Sequence, residues 1–262
     1  MTNVNSEVRE GLATVTLNRP DVLNALSPEM AHDLQQALSG ISRDEHVRCV
    51  VLKGAGKGFM AGGDIGFFKR ALPELQAGRV EGLNAIFEHV HGIVEALRSI
   101  PVPVIGVLHG AVAGFGVSLA AACDMTVAGE QTRFTLAYCH IGTSPDGASS
   151  YMLPRVVGLK KAMELTLLGD RFDAREALAL GLVNKVVPES EIQAAVDAWV
   201  ERFLAGPRFA YGRTKALLYS SLDNSFEEQI KLEEQYFKQC ASTADFAEGV
   251  TAFTEKRKAR FR

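Results

Sequence analysis

The sequence predicts an α/β core followed by a wholly helical C-terminal region. Short β-branched runs alternate with amphipathic helical stripes over the first two thirds of the chain, the pattern of layered sheet and helix. Beyond Pro188 every stretch reads as helix. Apolar residues make up 47% of the 262 positions and charged residues 23%, so a large core can be buried and global disorder is disfavoured. The expected division is a core over 1–189 and a helical assembly region over 190–262.

The elements follow in order. Val8 to Leu17 alternates around Glu10-Gly11 and predicts two paired strands. Ser27-Pro28-Glu29 supplies a cap, a proline and a first-turn acid, and Met30, Leu34, Leu38 and Ile41 form the stripe of the helix behind it. Val47 to Leu52 predicts a buried strand, with a glycine-rich loop from Gly54 to Asp64 after it. Phe67 to Leu83 has weak periodicity and predicts a mobile loop or irregular helix. Ile86, Val90, Ile93, Val94 and Leu97 mark the next helix. Val104 to Leu108 predicts a strand, and a small-residue helix, Val117 to Ala122, follows a second glycine-rich stretch. Met125 to Ala128 and Val183 to Val187 predict further strands. Between them, Asp173 to Glu176 forms a capping box and Gly181 a helix stop.

Composition narrows the function. A formal net charge of −3 gives no strong field for nucleic acid or a membrane surface. Met1 to Glu10 is polar, without the basic start and apolar stretch of a secretory signal. No run of about 18 or more apolar residues suggests a span. The four cysteines, Cys49, Cys123, Cys139 and Cys240, are scattered, as expected for reduced thiols rather than a zinc site or a disulfide frame. A cytoplasmic enzyme without a metal is the expectation.

Three segments could carry chemistry. Gly54 to Asp64 follows a strand and resembles a phosphate loop, but Gly58 stands after Lys57 where a Walker motif needs Ser or Thr. A ligand-free tight loop fits equally well. His109 to Leu119 lacks the third glycine of a dinucleotide fingerprint, and Ala120 breaks the nucleophile-elbow pattern around Ser118. What remains is a helix N-terminus with free N–H groups, or close helix packing through small residues. Pro145-Asp146-Gly147 is ordinary turn chemistry, and Asp146 could simply cap the next helix.

The order of these segments is informative. Leu17 to Pro20, Leu23 to Leu26, Phe59 to Ile65, Gly110 to Gly116, Ala122 to Asp124, Leu153 to Gly158, Gly181 to Val183 and Glu248 to Lys256 together resemble the enoyl-CoA hydratase/isomerase, or crotonase, superfamily over nearly the whole chain. The resemblance implies a ClpP-like spiral of ββα units with a helical C-terminal region, assembled as a homotrimer or hexamer. It implies an acyl-CoA substrate and no cofactor beyond the coenzyme A moiety of that substrate. By motif position, the backbone N–H groups of Ala61 and Phe115 are the expected oxyanion donors. Asp21, Val22, Leu23, Ala61, Gly62, Asp64 and Ile65 match coenzyme A contacts. Phe253 and Lys256 match tail positions that reach the nucleotide across a subunit boundary. Phe115, Ser118, Tyr138 and His140 border the acyl end.

Family hydratases carry two catalytic glutamates, and this chain has Ser118 and Tyr138 at those places. Asp146 stands where family isomerases carry an acid. One carboxylate can take a proton from one carbon and return it to another. The resemblance therefore implies a double-bond isomerase acting through a thioester enolate. The alternatives are an enoyl-CoA hydratase or acyl-CoA hydrolase, and a non-catalytic acyl-CoA-binding scaffold. His89 and His91 stand two apart, on different faces of a helix, which disfavours a metal site.

Overall fold

The computed structural model describes residues 2–262. Strands β1 (Val4–Arg9) and β2 (Leu12–Leu17) pair antiparallel across Glu10 and Gly11. Both turn residues have positive φ, 49° and 84°, as a two-residue hairpin with the right-handed strand twist requires. Helix α1 (Pro28–Arg43) starts where expected, with Ser27 Oγ accepting from the Met30 N–H at 3.3 Å. Its apolar stripe is buried against α3 (Asn84–Ser99) and the sheet.

The main sheet runs β1-β2-β3-β4-β6-β9, through β3 (Cys49–Gly54), β4 (Val104–Leu108), β6 (Met125–Gly129) and β9 (Lys185–Val187). All pairings after the first are parallel. Such strands are covered on both faces and so read as continuous apolar runs. A second sheet joins β5 (Ala111–Ala113), β7 (Arg133–Thr135) and β8 (Phe172–Asp173). The chain alternates between the sheets: β4 enters the first, β5 the second, and helix α4 (Phe115–Ala122) follows. This is the ββα unit of the expected spiral.

Of the two expectations for residues 67–83, mobile loop or irregular helix, the structure has the helix. Helix α2 spans Ile65–Gln76, capped by Asp64, whose Oδ1 accepts from the Phe67 N–H at 3.1 Å. No residue of α2 is fully buried; Phe67, Phe68, Ala71 and Leu75 are half-buried on one side, and Pro73 interrupts the helix. A short 3₁₀ turn at Glu81–Leu83 leads into α3. Helices α5 (Ser149–Val157), α6 (Leu159–Leu168) and α7 (Ala174–Ala179) connect to β9. Asp173 caps α7 through the Glu176 N–H at 2.9 Å, one half of the expected capping box.

Four helices follow: α8 (Ile192–Leu204), α9 (Arg208–Ser220), α10 (Phe226–Ala241) and α11 (Ala244–Thr254). Of these, α8 lays Ala195, Val196 and Val200 on Val51, Ile105, Val107 and Val127. It therefore covers the second face of the main sheet, and core packing continues past residue 189. Among the described residues no helix is long and apolar enough to cross a membrane.

Helix α9 is fastened by a buried ion pair. Lys215 Nζ lies 2.7 Å from Asp124 Oδ2 and donates to the Leu97 carbonyl at 2.7 Å. Tyr219 Oη donates to Asp124 Oδ1 at 3.1 Å, and the Val104 N–H to Oδ2 at 2.8 Å. Burial pushes the Asp124 carboxyl up and the Lys215 ammonium down, each against the pull of its partner. Removing one member leaves the other charged without its counterion. Lys215→Met is expected to destabilise the chain by about 3–5 kcal/mol in urea titration. A loss below about 1 kcal/mol contradicts this account.

Candidate active site

The site forms where the loops after β3 and β5 meet the loop before α5. Asn24 organises the first of these. Its buried Nδ2 donates to the carbonyls of Ala55, Gly58 and Phe59 at 2.9, 2.8 and 3.1 Å, and its Oδ1 accepts from the Arg19 N–H at 2.8 Å. Leu23 and Asn24 both hold positive φ, 50° and 57°. Asparagine tolerates that conformation better than leucine, and the bonds made by Asn24 fix the loop in it.

This loop then lines up the segment from Met60 to Asp64, which bridges to Val112 at Met60 and to Leu26 at Gly63. The Ala61 N–H donates to the Leu23 carbonyl at 2.9 Å. The Leu26 N–H donates to the Gly62 carbonyl at 2.7 Å and the Asp64 N–H to the Leu26 carbonyl at 3.0 Å. Gly62, with φ 93°, bends the segment between these bonds. Among the described residues the N–H groups of Gly62 and Gly63 have no acceptor. Ala61, expected as an oxyanion donor from its motif position, has its N–H committed to Leu23. The free donors of this segment are Gly62 and Gly63; Gly63, two residues beyond Ala61, is the candidate taken up below.

The second free donor lies at the start of α4. Gly114, with φ 48° and ψ −120°, turns the chain into the helix, and its carbonyl accepts from Val117 and Ser118 at 2.9 and 3.4 Å. No acceptor among the described residues takes the N–H groups of Phe115 and Gly116. The two backbone segments touch: a Cβ on Gly114 would lie 3.6 Å from the Gly62 Cα. Two glycines thus allow the close approach that brings the Gly63 segment beside a helix N-terminus.

Asp146 stands next to this. Its Oδ1 accepts from Tyr138 Oη at 2.6 Å. Its carbonyl accepts from Ser118 Oγ at 3.1 Å, Ser149 Oγ at 3.0 Å and the Ser149 N–H at 3.2 Å. Ser118 Oγ also lies 3.3 Å from Tyr138 Oη. The Phe115 ring packs beneath the same turn. A Cβ on Gly147, whose φ is 58°, would come within 2.5 Å of that ring. Phe115 therefore presents its N–H to the free-donor site while its side chain supports the Asp146 turn.

The electrostatics separate the two acids of this cluster. Burial raises the Asp146 carboxyl above the ordinary range, while the Tyr138 hydrogen bond and the nearby His91 ring pull it back. Burial and then the Asp146 charge push the Tyr138 phenol well above its usual range. Tyr138 is thus a proton donor in a hydrogen bond, and the candidate base is Asp146. His91, rejected above only as a metal ligand, is exposed on α3 and exerts a weaker electrostatic pull on Asp146.

Other predicted residues fall elsewhere. Val22, Leu23 and Ile65 are exposed apolar residues on the 3₁₀ turn Pro20–Val22 and the start of α2, with Asp21 exposed beside them. Asp64 caps α2 and pairs with Arg19 at 2.9 Å. Burial would raise its carboxyl, but Arg19 and the helix N–H groups hold it below the usual range. His140 is exposed, with its ring beside Gly169. Phe253 is 86% exposed and lines a groove of about 440 Å³ with Phe209, Phe246, Val250 and Phe261. Lys256 is exposed just beyond α11. Neither tail residue joins the Asp146 cluster within one chain. Among the described residues no His, Cys, Asp and Glu side chains group to hold a metal ion.

Comparison with known proteins supplies the context. A family model described as Enoyl-CoA hydratase/isomerase matches residues 7–262. The chain is 34% identical to the 1,2-epoxyphenylacetyl-CoA isomerase of Escherichia coli, over 98% of this chain and 97% of that one. It is 32% identical to the crotonyl-CoA hydratase of Syntrophomonas wolfei, over 99% and 97%. The structure is similar to that of an enoyl-CoA hydratase of Mycobacterium smegmatis, with a TM-score of 0.92, 33% identity, and 99% and 98% of the two chains covered.

Proposed function

The chain belongs to the enoyl-CoA hydratase/isomerase family of the crotonase superfamily, and we propose that within this family of acyl-CoA-processing enzymes it is a double-bond isomerase. The observation that carries the reading is the make-up of the buried cluster. One carboxylate, Asp146, is hydrogen-bonded by Tyr138, and its turn by Ser118. Hydration needs a group to activate water as well as one to deliver a proton, whereas a 1,3-proton shift needs a single base that becomes the acid.

In this reading the thioester oxygen lies against the Gly63 and Phe115 N–H groups. Asp146 removes a proton from one carbon, the electron pair moves into the thioester, and the resulting enolate oxygen is held by the two amides. Asp146 then returns the proton to the other end of the dienolate. The positive end of α4 favours the same negative charge. Asp21, Val22, Leu23, Ile65 and Gly62 would border the coenzyme A, and a neighbouring copy's Phe253 and Lys256 would approach its nucleotide.

A panel of saturated, α,β-unsaturated and β,γ-unsaturated acyl-CoA thioesters tests this. The expected result is a rise in ultraviolet absorbance from a β,γ-unsaturated member as conjugation forms, without release of free thiol. Thiol release instead identifies a hydrolase. Binding without turnover of any member identifies a scaffold.

A further inference from the structure

We propose that Tyr138 and Ser118 are positioning residues that restrict proton transfer to a single oxygen of Asp146, Oδ2. The inference rests on Asp146 being the base of the proposed reaction. It starts from the unequal surroundings of the two carboxylate oxygens. Tyr138 Oη donates to Oδ1 at 2.6 Å, a short, charge-assisted bond. Tyr138 is buried, and so is Ser118. No side chain among the described residues donates to Oδ2.

The frame around the carboxylate is also fixed. Ser118 Oγ donates to the Asp146 carbonyl at 3.1 Å from α4, while Ser149 Oγ and N–H reach the same oxygen from the start of α5. Ser118 Oγ lies 3.3 Å from Tyr138 Oη; each hydroxyl gives its one proton to Asp146, so the two sit in contact without a hydrogen bond between them. The phenol cannot rotate away without losing Asp146. The carboxylate cannot turn its second oxygen inward without losing Tyr138.

The chemistry follows from this asymmetry. In the first step a substrate C–H bond breaks, its electron pair enters the thioester as an enolate, and an O–H bond forms on Oδ2. In the second step that O–H bond breaks and a C–H bond forms at the other carbon. The same oxygen takes and returns the proton, so both events occur on one face of the substrate. Tyr138 keeps its own proton throughout. It lowers the cost of the charged carboxylate in a buried site and does not touch the reacting carbons.

Tyr138, from the segment before α5, and Ser118, from α4, contact Asp146 from the elements around it, and the exposed His91 on α3 adds a weaker electrostatic pull. A hydrogen bond to the charged form favours ionisation. Its removal shifts the acidic limb of kcat/KM to higher pH, because the base is active only when ionised.

The test uses the full-length enzyme and a β,γ-unsaturated acyl-CoA shown to be a substrate. Tyr138→Phe is expected to move the acidic limb upward by about one pH unit. It should lower plateau kcat by about tenfold and leave KM unchanged. His91→Gln, measured alongside, separates the effect of the imidazole charge: the Tyr138→Phe shift should persist in that background. Should Tyr138→Phe fail to fold, Ser118→Ala carries the test, with a smaller upward shift of the same limb. An unmoved limb in a folded Tyr138→Phe enzyme overturns the proposal. That outcome is distinct from failure of the base assignment, which is read from Asp146→Asn alone.

Discussion

Asp146→Asn is expected to lower kcat by roughly 10²–10⁴, the range for loss of a general base, with little change in coenzyme A affinity. The amide keeps the size of the carboxyl, and its oxygen can still accept from Tyr138, so the turn and Phe115 beneath it stay in place. The proposed coenzyme A contacts lie on the Pro20–Leu23 turn and the start of α2, away from this loop. Stability should move the other way from activity. Asp146 has a folded pKa raised by burial, so its ionised form costs the fold stability at pH values above that folded pKa. The cost disappears as pH falls below the unfolded value. At neutral pH the neutral Asn should therefore leave the melting temperature unchanged or raise it. Normal turnover in the variant on a verified substrate would mean that Asp146 only holds its turn.

Removing the Gly63 donor is expected to be the other large effect. Gly63→Pro deletes the N–H, and loss of one oxyanion donor costs about 10²–10³ in kcat. Any side chain at this position crowds Phe68, whose ring carbon lies 2.8 Å from a Cβ built on Gly63. Gly63→Ala carries the same crowding but keeps the donor, so the ratio of the two variants isolates the hydrogen bond. Alanine should retain most of the activity once the Phe68 ring swings aside. Equal losses in both variants would show that the N–H contributes nothing.

Much of this arrangement is legible in the sequence, and the exceptions share a cause. The hairpin at Glu10-Gly11, the Ser27 cap and the buried stripe of α1 are local, so period and turn chemistry suffice. Asp146 follows from a motif position, and the structure adds its partners. The choice between Ala61 and Gly63 is different. Which N–H is free depends on how the Met60–Asp64 segment pairs with Leu23 and Leu26, a tertiary relation that spacing does not reveal. Asp64 illustrates the same limit, because its pairing with Arg19 spans 45 positions. Helix α2 reads ambiguously because Pro73 interrupts it and its apolar residues are only half-buried, and α8 reads as tail although it covers the sheet.

The central claim, that one carboxylate moves one proton without adding water, has a direct test in product mass. A β,γ-unsaturated acyl-CoA is converted by the unmodified enzyme in ¹⁸O-labelled water and the product is weighed by mass spectrometry. The account predicts a conjugated product of unchanged mass that carries no ¹⁸O. A product heavier by one labelled water molecule, formed at the rate of substrate loss, would contradict it and assign the enzyme to hydration.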